Sequence, residues 1–438
     1  MEADTAPPRR ADDYDEVTRA VQLMTNRIRP YAWGSRTAIA GLQGREVPSA
    51  HPEAELWIGA HPGDSSVLEP SGAGAQISLL DAVTADPAAH LGAEVAARFE
   101  SRLPFLLKVL AAAEPLSLQA HPTLEQARRG FEAEEAERVP MGSAHRNYKD
   151  PLHKPELICA LTEFHALCGF RDPAVTVRLL AQLGSPELDR YVPLLAGQPD
   201  EHGTRALFSS IISMPSKVLV PLLDSVLTAC VAQVRKRGEF DAEYRTALEL
   251  GERYPGDPGV LASLLLNRIT LQPGEALYLG AGNLHAYLAG TGVEIMANSD
   301  NVLRGGLTPK HVDVPELMRV LDFSVGPVPV LEPQEQQPGV GRYPTPIDEF
   351  SLTVVNLGTV DPAGAGTGAA DQRGEGVTLQ HHGPLVLLGV SGEVRAHTAD
   401  GTELAVHPGH SVWVPAVDGP VTVTGDGRLF VASDGLTA

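Results

Sequence analysis

Gln119 and His121 stand two residues apart in SLQAHP (residues 117–122), on a segment fed by the apolar run LPFLLKVL. Positions i and i+2 of a strand project to one face, so an amide oxygen and an imidazole would point the same way. Taken alone, the pair is either half of a metal site or two ordinary side chains at a strand end. Two further groups extend the set. Glu156, in HKPEL, is a carboxylate among basic residues at the entrance to an apolar strand, and His285, in GNLHAY, follows a Pro-Gly turn. One amide oxygen, one carboxylate and two imidazoles form a mixed N/O donor set suited to Zn2+ with a coordination position left for substrate or water. The plainer alternative is a surface glutamate and ordinary loop histidines.

A second polar concentration lies in EIMANSDNVLRGGLTPKHVDV (residues 294–314), which gathers Glu294, Asp300, Arg304 and Lys310 among Asn, Ser and Gly. An arginine beside Gly-Gly lets a ligand approach the backbone, and its planar fork matches an oxyanion or a phosphate; a solvated loop with incidental charges is the other reading. Lys108, inside FLLKVL, must either reach water at an edge or face a polar cavity. Ser117 shares the strand parity of Gln119 and His121, so Lys108 and Ser117 are candidate phosphate donors. The formal net charge of −21 repels phosphates overall, which argues against nucleic acid and anionic membranes as partners and requires any anionic substrate to meet locally clustered cations. No G-x-G-x-x-G opening a helix after a strand, G-x-x-x-x-G-K-[ST] or G-x-S-x-G is present, which leaves nucleotide-fold and serine-hydrolase readings without support.

The elements that must position these residues are legible in outline. A chain of 438 residues implies two or three domains. Three cysteines without a CxxC fit a reducing cytoplasm rather than a disulfide scaffold. Residues 1–22 read as a flexible charged tail without a signal core, and no uncharged run approaches the ~20 residues of a spanning helix. Short segments broken by Gly and Pro predict strands over much of 23–122, 151–172 and 265–321. Residues 124–138 have helical composition within an excursion over 123–150. Leu219, Leu222, Leu223, Val226, Leu227, Cys230, Val231 and Val234 recur at helical spacing, which places an amphipathic helix in a helical domain over 173–264. Residues 322–438 predict many short strands, with a flexible loop over 361–376. Within that region VHPGHSVWVPAVDGP echoes LQPGEALYLGAGNLH: Pro273, Gly274 and Tyr278 align with Pro408, Gly409 and Trp413. Both copies read as a Pro-Gly turn entering a strand, but Pro420 stands where the first copy has His285, so only the first is equipped for metal.

Taken together, YAWGS, AELWIGAHP, LPFLLKVLAAAEPLSLQAHP, NYKDPLHKPELICALTEFHALCGFRD, GNLHAYLAG and EIMANSDNVLRGGLTPKHVDV resemble the type I mannose-6-phosphate isomerases, zinc enzymes of the cupin superfamily. The resemblance implies a mainly β protein with an inserted α-helical domain and cupin-type double-stranded β-helix barrels, one catalytic (23–122, 151–172 and 265–321) and one C-terminal and metal-free (322–438). It implies one Zn2+ per chain on Gln119, His121, Glu156 and His285, and site roles for Trp33, Glu55, Lys108, Ser117, Lys154, Tyr287, Glu294, Asp300, Arg304 and Lys310. Leu152 departs from the asparagine common before HKPE. The implied reaction interconverts mannose 6-phosphate and fructose 6-phosphate through an enediolate, with His153 as candidate for proton transfer, Lys154 and Asp300 assisting ring opening, and Arg304 stabilising the developing oxyanion. The expected partner is a small phosphosugar, with no nucleic acid, membrane or obligate protein partner, in the cytoplasm. Two rivals are a cupin dioxygenase, disfavoured by the neutral oxygen donor Gln119, and a non-catalytic sugar-phosphate sensor.

Overall fold

The structure, a computed structural model, describes residues 20–69, 76–358 and 376–436. The expected tail up to residue 19 and the expected loop up to residue 375 therefore lie outside the described residues. The chain divides into two compact units, one of Met1–Ala111, Val293–Asn298 and Leu331–Ala438, the other of Ala112–Gly292 and Ser299–Val330.

The second unit carries Gln119, His121, Glu156 and His285. Phe164–Phe170 runs antiparallel to Leu266–Leu271 and to the start of the long strand His285–Ala297, while Glu156–Ala160 pairs with Ala276–Leu279. Leu118–Ala120 pairs with Leu303–Gly306, and Gln119 lies opposite His285. The sequence ELICA is buried at every position, as expected for an apolar run that does not alternate. Helices follow as the period changes. Asp172 begins Pro173–Leu183 by accepting hydrogen bonds from Ala174 N and Val175 N (2.8 and 3.1 Å), with Pro173 at the first helical position and Gly184 in the left-handed conformation closing the end. The helix expected over 124–138 spans Leu124–Ala136 and opens on a reciprocal Thr123–Gln126 capping box.

The expected amphipathic helix spans Ser216–Lys236, with Leu219, Leu222, Leu223, Val226 and Cys230 buried. Val231, expected on the same stripe, is 41% exposed, because it sits one residue, about 100° of helical turn, from Cys230. By length and composition this helix is apolar enough to cross a bilayer, a possibility that counting only uncharged runs missed. Its buried stripe belongs to the core of the helical region, where Phe170 stacks on Phe323 (centroids 4.9 Å apart) and meets Phe208 edge-on at 5.4 Å.

In the first unit, the C-terminal strands join an 11-stranded sheet whose main path runs from Gln334–Gln337 through Val340–Tyr343, Ser351–Leu357, Val421–Ser433, Leu385–His397 and Ser411–Val414 to Gln22–Thr25, Val67–Glu69 and Ile77–Ser78, with Val377–Leu379 on Val421–Ser433 and Glu403–Val406 on Leu385–His397 beside it. The echo noted in the sequence recurs in the backbone. Gly274 and Gly409 both take positive φ (94° and 72°), each turn enters a four-residue strand, and each strand is followed by one of 13 residues, His285–Ala297 and Val421–Ser433. The expectation of a mainly β protein with an inserted helical region is borne out.

Candidate metal centre

His121, Glu156 and His285 come together although they lie on three separate segments. The three residues are 1%, 2% and 1% exposed, and their donor atoms all lie within 4.8 Å of one another. Glu156 Oε1 is 3.4 Å from His121 Nε2, and Glu156 Oε2 is 3.4 Å from His285 Nε2. That spacing matches the edge of a tetrahedron whose metal–ligand bonds are about 2.1 Å, the usual length for zinc with N and O donors.

The tautomers follow from what the other ring nitrogens touch. His121 Nδ1 donates to the main-chain carbonyl of Asn301 (2.7 Å), and His285 Nδ1 donates to that of Asn283 (3.1 Å). A carbonyl can only accept, so in the neutral rings both Nε2 atoms carry bare lone pairs. Burial pushes the His121 pKa down to about 4, against the opposing pull of Glu156. Burial opposes ionisation of Glu156 as well, but Lys154 and His121 outweigh it and hold this carboxyl well below the usual range. The result is a cluster of buried polar atoms, His121 Nε2, His285 Nε2 and Glu156 Oε2, that have no hydrogen-bond partner among the described residues. Such a concentration of unsatisfied lone pairs is costly unless a cation satisfies it. The donor set therefore fits a divalent metal, and among the described residues it is the one cluster of three His, Cys, Asp or Glu donors that does.

Gln119 is brought to the same place. Opposite residues of an antiparallel ladder share a face, and Gln119 is opposite both His285 and Arg304. Lys154 Nζ lies 3.2 Å from Glu156 Oε1. Tyr287 is buried, with its ring edge-on to Phe164 (5.2 Å) and 6.0 Å from that of His285. Ser117 and His153 are half-buried on either segment, and Asp300 is exposed. Arg304 is half-buried, and among the described residues its guanidinium has no ion pair; burial pushes its pKa down, while burial and then Arg304 push that of Lys310 down. Arg304 thus raises the cost of charge on Lys310, a cost that a nearby anion would lower.

Four of the sequence candidates belong to the other unit. There the Lys108 ammonium is buried between Glu294 Oε2 (3.0 Å) and Glu55 Oε1 (3.6 Å), and 5.5 Å from the Trp57 ring centroid. The Trp57 indole N–H donates to Glu55 Oε2 (2.7 Å). Trp33 stacks on Tyr31 at 5.7 Å. Trp57, Asn301 and Asp150 were missed by the sequence reading; of these, only Asn301 lay in a segment already marked by its unusual polarity.

Two expectations follow from this geometry. The first concerns pH. Because His121 has a native pKa near 4 and an unfolded value near 6.5, it contributes nothing to the pH dependence above 6.5, where it is neutral in both states. As pH falls from 6.5 to 4 the unfolded chain takes up the proton first, and the metal-stripped protein loses stability on the order of 3 kcal/mol from this residue. Urea unfolding across that range detects the loss, which disappears in His121→Gln. The second concerns Leu152, which acts here through its backbone: its N–H donates to Asp150 Oδ1 (3.0 Å), and its carbonyl accepts from Asn301 Nδ2 (2.8 Å) and Ser299 Oγ (3.2 Å). Leu152→Asn leaves those bonds intact, so a stability change within about 0.5 kcal/mol is expected by thermal melting.

The comparisons with known proteins converge. The family model for phosphomannose isomerase type I, catalytic domain, matches residues 21–173. The chain is 39% identical to the mannose-6-phosphate isomerase of Escherichia coli (strain K12), over 93% of this chain and 98% of that one. It is 32% identical to mannose-6-phosphate isomerase 1 of Arabidopsis thaliana, over 91% and 90%. Among solved structures, a zinc-bound mannose 6-phosphate isomerase superposes with a TM-score of 0.83 at 36% identity, covering 95% of this chain and 100% of that chain. A mutant phosphomannose isomerase from Salmonella typhimurium gives 0.84 with the same identity and coverage.

Proposed function

The chain belongs to the type I phosphomannose isomerase family, and from that premise we propose that it interconverts mannose 6-phosphate and fructose 6-phosphate with one zinc ion held by Gln119, His121, Glu156 and His285. The observation that carries this reading is the buried cluster of His121 Nε2, His285 Nε2 and Glu156 Oε2, none of which has a hydrogen-bond partner among the described residues. Zinc in this setting supplies a redox-inert Lewis acid that polarises substrate oxygens. The remaining work falls to side chains. Moving a proton between C1 and C2 requires a base beside the donor set. We assign it to His153, half-buried beside Lys154, whose ammonium lies 3.2 Å from Glu156 Oε1. Asp300 with Lys154 assists ring opening. Arg304 faces the charge that develops on the enediolate, with Tyr287 packed beside His285.

An anionic substrate is drawn into this acidic protein by Arg304 and Lys310, cations without an ion pair among the described residues, joined by the Ser117 hydroxyl. Lys108, Glu55 and Trp33 are assigned to substrate and Glu294 to catalysis. Since Lys108 already shares its charge with two carboxylates, it offers an anion less than Arg304 does. The cysteines are free thiols, and we assign the protein to the cytoplasm on that basis. A coupled assay that follows fructose 6-phosphate formed from mannose 6-phosphate tests the function. Turnover supports it; zinc binding without turnover indicates a sensor, and oxygen consumption indicates a dioxygenase.

A further inference from the structure

Asn301 is completely buried, and every polar atom of its side chain is engaged. Its Oδ1 accepts from Lys149 N (2.6 Å) and Asp150 N (3.3 Å), and its Nδ2 donates to the carbonyls of Asp150 (2.7 Å) and Leu152 (2.8 Å). The Asp150 carboxylate completes a knot: Oδ1 accepts from Ser299 Oγ (2.8 Å) and Leu152 N (3.0 Å), and Oδ2 accepts from Asp300 N (2.9 Å). The turn tied down in this way leads directly into His153, Lys154 and Glu156. The segment it is tied to leads into Arg304. At the centre, the Asn301 carbonyl is the group that accepts from His121 Nδ1 at 2.7 Å.

One residue thus touches both sides of the donor set, holding a ring with its backbone and the approach to a carboxylate with its amide. We propose that Asn301 is a positioning residue that sets metal affinity by fixing the His121 ring and the 149–152 turn that delivers Glu156. The inference rests on the zinc reading above. Groups that hydrogen-bond a ligating imidazole fix its orientation, and losing them typically costs about 10–100-fold in metal affinity. Asn301→Asp keeps the side-chain volume but replaces the amide donor by an acceptor facing the carbonyls of Asp150 and Leu152 and the Asp150 carboxylate, so the turn and the His121 carbonyl contact must shift together.

The test uses the full chain, metal-stripped, titrated with zinc against a chromophoric chelator, together with the absorption spectrum of the Co2+-substituted protein and thermal melting. For Asn301→Asp the expected result is a fall in zinc affinity of about 10–100-fold and an altered Co2+ spectrum. Ser299→Ala, which removes only one hydroxyl from the knot, should weaken zinc in the same direction by a smaller factor, and carries the test if Asn301→Asp does not fold. Wild-type zinc affinity and Co2+ spectrum in the folded variants, with only the melting temperature lowered, would reduce the knot to a fold staple and overturn the inference. A reference titration in which the wild type binds no zinc overturns the zinc reading as well, so the two failures are distinguishable.

Discussion

Replacing His285 by alanine is expected to strip the protein of zinc and lower kcat/KM on the order of 10⁴-fold, about 5.5 kcal/mol of transition-state stabilisation. The size of the effect follows from the construction of the site. His285 begins the long strand His285–Ala297 and presents a bare Nε2 to Glu156 at 3.4 Å, held in that tautomer by the Asn283 carbonyl. Without it the donor set loses one of its two imidazoles, and the Glu156 carboxylate, 3.2 Å from the Lys154 ammonium, is left to close into an ordinary ion pair. Metal analysis beside the coupled assay reads both consequences. A variant that kept one zinc per chain and lost less than about tenfold in kcat/KM would remove His285 from the site.

Arg304→Ala should behave differently, with zinc retained and kcat reduced by about 10²–10³-fold, the 2.7–4 kcal/mol typical of deleting one oxyanion donor. Its guanidinium is half-buried without an ion pair among the described residues, and burial pushes its pKa down. An uncompensated, partly desolvated cation is held at a cost, and charge appearing on a reacting oxygen recovers that cost. Arg304 also lies opposite Gln119 in the ladder, on the same face as the ligand set. Arg304→Lys is expected to recover only part of the loss, because an ammonium lacks the planar fork. Steady-state kinetics with metal analysis separates the cases: an unchanged kcat, or loss of zinc in step with activity, contradicts an electrostatic role.

The parts of this molecule that were legible in its sequence are those governed by local periodicity. The Pro-Gly entry to each repeat and the stripe from Leu219 to Cys230 each encode a direction in space within a few residues, and the backbone follows them, whereas the strand Leu118–Ala120 carries Gln119 but ends one residue before His121. Bringing Glu156 and His285 to His121 is a matter of sheet topology, which no local pattern carries; there the family resemblance supplied the ligand set. Asn301 escaped notice because its work is done by a main-chain carbonyl and by an amide that binds backbone atoms of residues 149–152, and neither leaves a mark of residue type. Lys108 was recognisable as out of place in an apolar strand. That its partners are Glu55 and Glu294 depends on pairing between Glu55–Ile58 and Phe105–Ala112 and on a third strand far along the chain. Val231 shows the limit of periodicity itself, since a single step around a helix moved it from core to surface.

The most direct measurement is a titration of zinc into the metal-stripped protein while the conversion of mannose 6-phosphate to fructose 6-phosphate is followed. Activity rising from background in proportion to added zinc and levelling at one ion per chain is the predicted result. Full activity before any metal is added, or zinc bound at that ratio with no turnover, contradicts the account.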